Sequence, residues 1–116
     1  MSSFEELLKS LREEYLASMP EKIDLLKKQI DAGAIPPLQD SFHKLKGTGR
    51  TYGMPEVSEL AEALERLCIE QPQRALAAAP QATALLQDIF VSRQNTAVFD
   101  LNQDQRFQSI QKLLQK

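Results

Sequence analysis

The chain has 116 residues, of which 42% are hydrophobic and 26% charged, and its formal net charge is −2. This length and composition are typical of one folded globular domain and exclude a disordered chain. No block of Lys or Arg is long enough to follow a nucleic-acid backbone, and no apolar run approaches the roughly 20 residues that span a bilayer. We therefore expect neither a nucleic acid nor a membrane as partner.

The cysteine content and the N-terminus indicate the compartment. Cys68 is the only cysteine, so the chain cannot form an internal disulfide. The N-terminus lacks the basic region and following apolar run of a signal peptide. These features predict a cytoplasmic location.

Two helices are predicted in the N-terminal third. The first, from Ser3 to about Ser18, has apolar residues at helical spacing: Phe4, Leu7, Leu8, Leu11 and Tyr15. Because proline is tolerated in a first turn, Pro20 is expected to start a second helix at a new angle. Gly33 is expected to close that second helix as a C-cap residue.

The third helix is expected to cover about residues 36–53, since Pro36 and Pro37 can open it and Gly53 can end it. Its inward face is predicted to consist of Leu38, Phe42, Leu45 and Tyr52. A fourth helix starts at Pro55. Its buried stripe is predicted to consist of Val57, Leu60, Leu64 and Leu67, with Ala61 and Cys68 beside it.

The remaining chain is also predicted to be helical. Pro72 and Pro80 are expected to bracket an alanine-rich connection with a short helix of its own. The helix after Pro80 has an apolar face: Ala82, Leu85, Leu86, Ile89 and Phe90. A polar link follows over residues 95–102. The last amphipathic segment carries Phe107, Ile110, Leu113 and Leu114, which we interpret as a stripe docked on the bundle rather than a partner site.

The fold class follows from these helices together. No segment alternates polar and apolar residues between hairpin turns, so no sheet is predicted. The pattern predicts an all-α antiparallel bundle with short connections.

The outer face of the third helix holds the chain's one histidine. With Phe42 and Leu45 turned inward, His43 is rotated by about 100° from the buried seam and is expected near solvent. Helix geometry places Gln39, Lys46 and Gly47 beside it, and Arg50 one turn further on.

Two glycines lie inside this helix, where each costs roughly 1 kcal/mol relative to alanine. A Cβ at Gly47 would stand beside the imidazole, so we attribute this glycine to the close approach of another molecule. Gly49 lies nearer the buried side and is attributed to tight helix packing.

The chemistry available at His43 is that of a nucleophile. Neutral imidazole is nucleophilic near pH 7 because its pKa is about 6.5, and Lys46 can contact phosphoryl oxygens. The chain has no glycine-rich phosphate loop, no nucleotide-binding signature and no acidic cluster clearly arranged for magnesium. It is therefore expected to receive and pass on a phosphoryl group, with the metal supplied by a partner.

The run His43-Lys44-Leu45-Lys46-Gly47-Thr48-Gly49, followed by Tyr52-Gly53 and by Leu60 to Leu64-Glu65, resembles the histidine phosphotransfer (HPt) domains of phosphorelays. The resemblance covers roughly residues 38–66. It implies a four-helix bundle with an additional N-terminal helix over residues 1–95, and leaves residues 96–116 as a C-terminal helical extension. Gly49 departs from the family, which more often has alanine there.

The resemblance also implies roles for individual residues. His43 is the phosphorylation site, Lys46 supports the phosphoryl group, and Gly47 leaves room for the partner's active site. Glu65 aligns with a glutamate that hydrogen-bonds the histidine ring in related domains of chemotaxis kinases. Its position alone is more typical of a surface or helix-packing residue. On helical geometry alone, and not from the resemblance, Gln39 and Arg50 are candidate supporting residues.

The function predicted in this way is reversible phosphoryl transfer between His43 and the aspartates of response-regulator receiver domains. The expected partners are such a receiver, which would carry Mg²⁺, and a sensor histidine kinase; the chain itself is expected to be a monomer without a cofactor. It is expected to be a relay intermediate, not a stand-alone enzyme, since it has no ATP-binding domain. The alternative is an HPt-like adaptor that binds signalling partners without phosphotransfer. A hydrolase is disfavoured because it would need a second acid, base or metal to support His43, and one histidine with one cysteine cannot form a metal cluster of the usual type.

Overall fold

The computed structural model describes residues 3–115. Over this range the chain forms five α-helices: α1 (Ser3–Asp31), α2 (Ile35–Thr51), α3 (Pro55–Glu70), α4 (Pro72–Gln94) and α5 (Gln105–Leu114). A short 3-10 helix (Leu101–Gln103) precedes α5, and no strand occurs in the described chain. None of the described helices is both long and apolar enough to cross a bilayer. The predicted all-α class is confirmed.

Helices α1 to α4 run antiparallel to their neighbours. The Tyr15 hydroxyl lies 2.8 Å from the Thr48 hydroxyl, and Ser41 donates a hydrogen bond to Gln29, so α1 and α2 run in opposite directions. The connections between successive helices are short, as expected for an antiparallel bundle. Gly53, with a φ of +76°, closes α2 by allowing the Met54 amide to bond to the Gly49 carbonyl.

The predicted helix breaks at two prolines are wrong. Pro20 lies inside α1 and Pro80 lies inside α4, and both helices continue through them. Both prolines are exposed, so solvent can reach the carbonyl that each leaves without its usual amide donor. The additional N-terminal helix is therefore the first half of α1, and the alanine-rich connection is the first part of α4.

The core contains the apolar stripes predicted for α2, α3 and α4. Leu38, Leu64, Leu67 and Leu85 are fully buried, and Phe42 and Ile89 are nearly so. The predicted inward position of Tyr52 is only partly realised, because Tyr52 is half-buried at the end of α2 and stacks on Tyr15, with ring centroids 4.8 Å apart. Cys68 is buried as predicted, and burial raises the pKa of its thiol to about 11.

An ion pair joins the start of α3 to the end of α4. The Arg93 guanidinium donates to both carboxylate oxygens of Glu56, with distances of 2.8 and 2.6 Å. Only 19% of the Arg93 side chain and 5% of the Glu56 side chain are exposed. This two-point contact satisfies a charge that would otherwise be costly in the interior.

The C-terminal helix α5 packs on α3 and α4, as predicted for a stripe docked on the bundle. Phe107 and Ile110 are buried. Asp104 accepts the Arg106 amide as the N-cap of α5, and the Arg106 guanidinium reaches Asp88 on α4 at 2.7 Å. At its other end, the Leu113 carbonyl accepts a hydrogen bond from the Gln71 side chain.

Candidate functional site

Helix α2 presents His43 to solvent at its middle. The neighbouring Phe42 and Leu45 are buried, at 2% and 4% exposure, whereas 64% of the His43 side chain is exposed. This is the orientation predicted from the 3.6-residue helical repeat. The imidazole therefore lies on a helix whose opposite face is buried in the core.

Glu65, on the adjacent helix α3, connects His43 with Lys46. Its Oε2 lies 2.5 Å from His43 Nδ1, and its Oε1 accepts a hydrogen bond from Lys46 Nζ at 2.6 Å. Glu65 is buried, with 7% exposure, so of the two interpretations of its position the surface one is wrong, and Glu65 instead packs between α3 and α2 and makes the ring contact that the resemblance implies. The carboxylate holds the two α2 side chains in one arrangement, with the imidazole on the outside.

The contact with Glu65 distinguishes the two nitrogens of the imidazole. A carboxylate accepts hydrogen bonds, so Nδ1 donates its proton to Glu65 and the lone pair of the neutral ring resides on Nε2. Nothing in the described chain hydrogen-bonds Nε2. The nitrogen on the exposed side is thus the one with nucleophilic character.

The charges around Glu65 keep its carboxylate ionised. Burial acts to raise the pKa of Glu65, but the hydrogen bonds from Lys46 and His43 and the positive charge of Lys46 outweigh burial, so this pKa is lowered overall. Lys46 is 30% exposed and neutralises Glu65 in this structure, while its ammonium group remains one helical turn from the ring.

The two glycines of α2 have different surroundings. A Cβ added at Gly49 would lie 2.6 Å from the Ser58 hydroxyl and 2.8 Å from the Ser58 amide nitrogen, which confirms the predicted helix packing. A Cβ added at Gly47 would have no heavy atom within 4 Å, including those of the imidazole. The expectation that this Cβ would contact the ring is therefore wrong, and the space next to Gly47 is open.

Two residues considered as supporting groups are not brought to the imidazole. Arg50 extends to Glu62, at 3.7 Å between its Nη2 and the carboxylate. Gln39 is half-buried one turn before His43, and no hydrogen bond joins it to the ring. The structure therefore brings together His43, Lys46 and Glu65, with Gly47 beside them.

Sequence reasoning missed the role of Ser58. Its hydroxyl donates a 2.6 Å hydrogen bond to the Lys46 carbonyl, and its side chain packs against Gly49. A serine beside the apolar stripe of α3 gives no signal of such a contact, because its partner is a backbone atom of another helix.

A groove between α1 and α2 borders the site. It is lined by Lys22, Leu25, Leu26, Ser41, Lys44, Leu45 and Thr48. Leu25 is 50% exposed at its edge. Within residues 3–115, no group of three or more His, Cys, Asp or Glu side chains is arranged to hold a metal ion.

Comparison with known proteins gives one match. A family model described as the Hpt domain matches residues 10–96. No curated protein and no solved structure matches the chain significantly. The match covers well over half of the sequence, includes α2 and α3 entirely, and ends before α5. Hpt domains act in two-component signalling in roles of the phosphotransfer type, and they interact with receiver domains and kinases. This chain belongs to the Hpt domain family.

Proposed function

We propose that the chain is a phosphorelay intermediate in which Nε2 of His43 accepts a phosphoryl group from the aspartyl phosphate of a receiver domain and returns it to such an aspartate. The observation that carries this proposal is the contact of Glu65 with Nδ1, which leaves Nε2 as the exposed nucleophile. Family membership supports the general type of role, and the geometry supports this atom as acceptor.

In the forward step, the Nε2 lone pair attacks phosphorus and forms the N–P bond. The P–O bond to the aspartate breaks, and the carboxylate leaves with its electron pair. The ring then carries a phosphoryl group on Nε2 and a proton on Nδ1. Glu65 offsets the positive charge of that ring. The reverse step breaks the same N–P bond, so direction depends on the partners present.

Lys46 stabilises the charge on the transferred group. Its ammonium is one turn from His43, and a phosphoryl group brings about −1.5 to −2 charges close to it. Lys46 can exchange part of its contact with Glu65 for a charge-assisted hydrogen bond to the phosphoryl oxygens. In the proposed relay, Mg²⁺ is bound by the receiver domain, where it would neutralise phosphoryl oxygens.

The receiver domain docks over α2 beside the histidine. The apolar edge of the groove at Leu25, with Lys22 and Lys44 around it, offers a surface on the same helix as His43, and Lys44 is the residue next to it. The open space above Gly47 admits the partner's active-site loops. We place this relay in the cytoplasm, where the unpaired Cys68 remains reduced.

The decisive experiment is incubation with a receiver domain carrying a labelled aspartyl phosphate. The wild type should acquire an acid-labile, alkali-stable label, and His43→Gln should acquire none. His43→Gln should keep the wild-type melting temperature, because an exposed side chain contributes little to stability.

Lys112→Gln is the control. Lys112 is an exposed lysine on α5, outside the groove and the site, so this variant should be labelled normally. A wild-type protein that binds several cognate receivers and is never labelled would refute the relay and favour the adaptor alternative. Label that persists in His43→Gln would place the acceptor elsewhere.

A further inference from the structure

One lysine of the groove between α1 and α2 is held in place without a counter-charge. Lys22 lines the groove, and its ammonium donates a 2.5 Å hydrogen bond to the Ser18 hydroxyl. The same ammonium lies 5.1 Å from the centroid of the Tyr15 ring. None of the ion pairs within residues 3–115 includes Lys22. The structure therefore positions this cation but does not neutralise it.

Partial burial without an ion-pair partner is unfavourable for the charged form of Lys22. It lowers the pKa of the ammonium, and the negative charge of Glu21 offsets this effect only in part. A carboxylate from another molecule would correct the imbalance, because a desolvated charge is costly unless it is paired. Lys44, the other lysine of the groove, already pairs with Asp40 at 3.1 Å. Lys22 is thus the cation that gains more from an incoming carboxylate.

The rest of the groove is suited to an apolar side chain. Leu25, Leu26 and Leu45 form its apolar lining, and Leu25 is 50% exposed at its edge. Among the described residues that line the groove, the two lysines carry positive charge and no side chain is acidic, although the whole chain has a formal net charge of −2. The groove is therefore complementary to apolar surface with negative charge beside it.

Lys22 lies level with the proposed phosphoryl acceptor. Two side-chain contacts fix the register of α1 against α2, one made by Tyr15 and the other by Gln29. Lys22 is midway between these two residues along α1, which places it opposite the middle of α2, where His43 is found. A molecule that occupies the groove therefore covers the surface next to the imidazole.

We propose that Lys22 selects the partner: the groove receives an apolar side chain of the receiver domain, and a carboxylate beside that side chain pairs with the Lys22 ammonium. This inference rests on the proposed function, because it concerns the receiver that docks beside His43. It adds the chemistry by which one receiver is preferred over another. A receiver with a neutral or basic residue at that place would leave Lys22 desolvated and unpaired, which disfavours the complex.

In this proposal Lys22 stabilises the complex, whereas Lys46 contacts the transferred group. Lys46 is one helical turn from His43 on the same helix. Lys22 is on the neighbouring helix, and its ammonium is held by Ser18. Replacement of Lys22 should therefore raise the receiver concentration that gives half-maximal transfer and leave the transfer rate at saturation unchanged.

Calorimetric titration of the full chain with cognate receiver domains tests the proposal. Lys22→Gln should raise the dissociation constant about tenfold, and Lys22→Glu at least about a hundredfold because it brings two like charges together. Lys22→Arg keeps the charge and should stay within about threefold of the wild type. The receiver concentration for half-maximal labelling of His43 should rise by the same factors.

Lys27→Glu is the matched control for Lys22→Glu. Lys27 is an exposed lysine of the same helix, but it lines the cleft between α1 and α4. The two variants change the net charge equally on different faces. At physiological salt, where charges are screened over about 8 Å, Lys27→Glu should bind the receiver within about twofold of the wild type.

Charge reversal on the receiver identifies the carboxylate. Single Asp→Lys and Glu→Lys changes are made on the receiver surface, outside its phosphorylated active site. One of them should weaken binding to the wild type and restore binding to Lys22→Glu, because it exchanges the two charges of the pair.

The outcomes separate this inference from the relay. Equal affinities of Lys22→Glu and Lys27→Glu, a lower labelling rate at saturation in Lys22→Gln, or the lack of a restoring change would each overturn the proposal while the labelling of His43 still stands. Receivers that bind through Lys22 and leave no label would support this contact and refute the relay. A wild type to which no cognate receiver binds would overturn both.

Discussion

Helix α3 carries two buried glutamates, one near each end, and their surroundings differ in one respect. Glu56 is held by Arg93, whose side chain is only 19% exposed, so this ion pair is closed off from solvent. Glu65 is held by Lys46 and by His43, whose side chain is 64% exposed. Both carboxylates accept two hydrogen bonds, yet only Glu65 passes its influence to a group that another molecule can reach. Burial of an acid is therefore shared by both ends of the comparison, and the exposure of its partner is what distinguishes Glu65, the residue that the proposed relay uses.

The largest expected effect is the loss of stability when the Glu56–Arg93 ion pair is broken. Arg93→Met should lower the free energy of unfolding by about 3–5 kcal/mol, because it leaves Glu56 buried without a counter-charge. Chemical denaturation measures this loss. Lys46→Met is the comparison and should cost about 1 kcal/mol or less, since solvent reaches that pair, while it slows transfer. Equal losses in both variants would remove the distinction between the two glutamates.

The two glycines of α2 extend the comparison to backbone positions. Gly49→Ala should lower stability by about 1–3 kcal/mol, because its Cβ would press on Ser58. Gly47→Ala should raise stability by up to about 1 kcal/mol through helix propensity, since nothing lies within 4 Å. Thermal or chemical denaturation measures both changes.

A larger residue at Gly47 separates folding from access. Gly47→Leu should fold normally and accept phosphate more slowly, since its side chain would occupy the space beside His43. Wild-type transfer rates in this variant would show that the space is not used.

Replacement of Glu65, whose partner His43 is exposed, should affect the rate of phosphoryl transfer more than the free energy of unfolding. Glu65→Gln should slow single-turnover phosphoryl transfer about tenfold, the size of effect seen when a partner that orients a histidine is weakened. Glu56→Gln is the matched control and should leave the transfer rate of the folded protein unchanged. If both variants slow transfer alike, Glu65 acts only through the fold.

The smallest effect is the pH dependence linked to Glu65. Its lowered pKa means that the folded state favours the ionised carboxylate, so the stabilisation is complete above the ordinary glutamate pKa of 4.5 and is lost as pH falls through the lowered value. The difference in unfolding free energy between the wild type and Glu65→Gln should therefore shrink below pH 4.5. A difference that is constant with pH would contradict a role for the charged form.

Much of the fold could be predicted because its signals are local and periodic. The rows through Phe42 and Leu64 repeat at the helical spacing, and Gly53 marks a helix end that requires a positive φ. Pro20 and Pro80 were misleading because proline is a local signal that packing on either side can outweigh. In α4, Ala79 and Ala82 are buried next to Pro80, and they anchor the helix through it.

Only those parts of the site that lie on one helix could be predicted from the sequence. The positions of His43, Lys46 and Gly47 follow from the geometry of α2 alone. The contact with Glu65 depends on the register of α3 against α2, which no spacing within either helix reveals. The family resemblance points to Glu65, whereas its position in the sequence alone favours a surface or helix-packing residue. The same limit explains why the Glu56–Arg93 pair, which links residues 37 positions apart, was not predicted.

The hydrogen bond from Ser58 to the Lys46 carbonyl determines whether α2 is ordered before a partner protein binds. It ties the backbone of α2 to α3 one turn after His43, while Glu65 ties the side chains at the same level. The segment that carries His43 is therefore already ordered before a partner arrives, and little conformational entropy is lost when one docks. Association of this kind is a rigid-body encounter, so discrimination between partners depends on how long each complex survives.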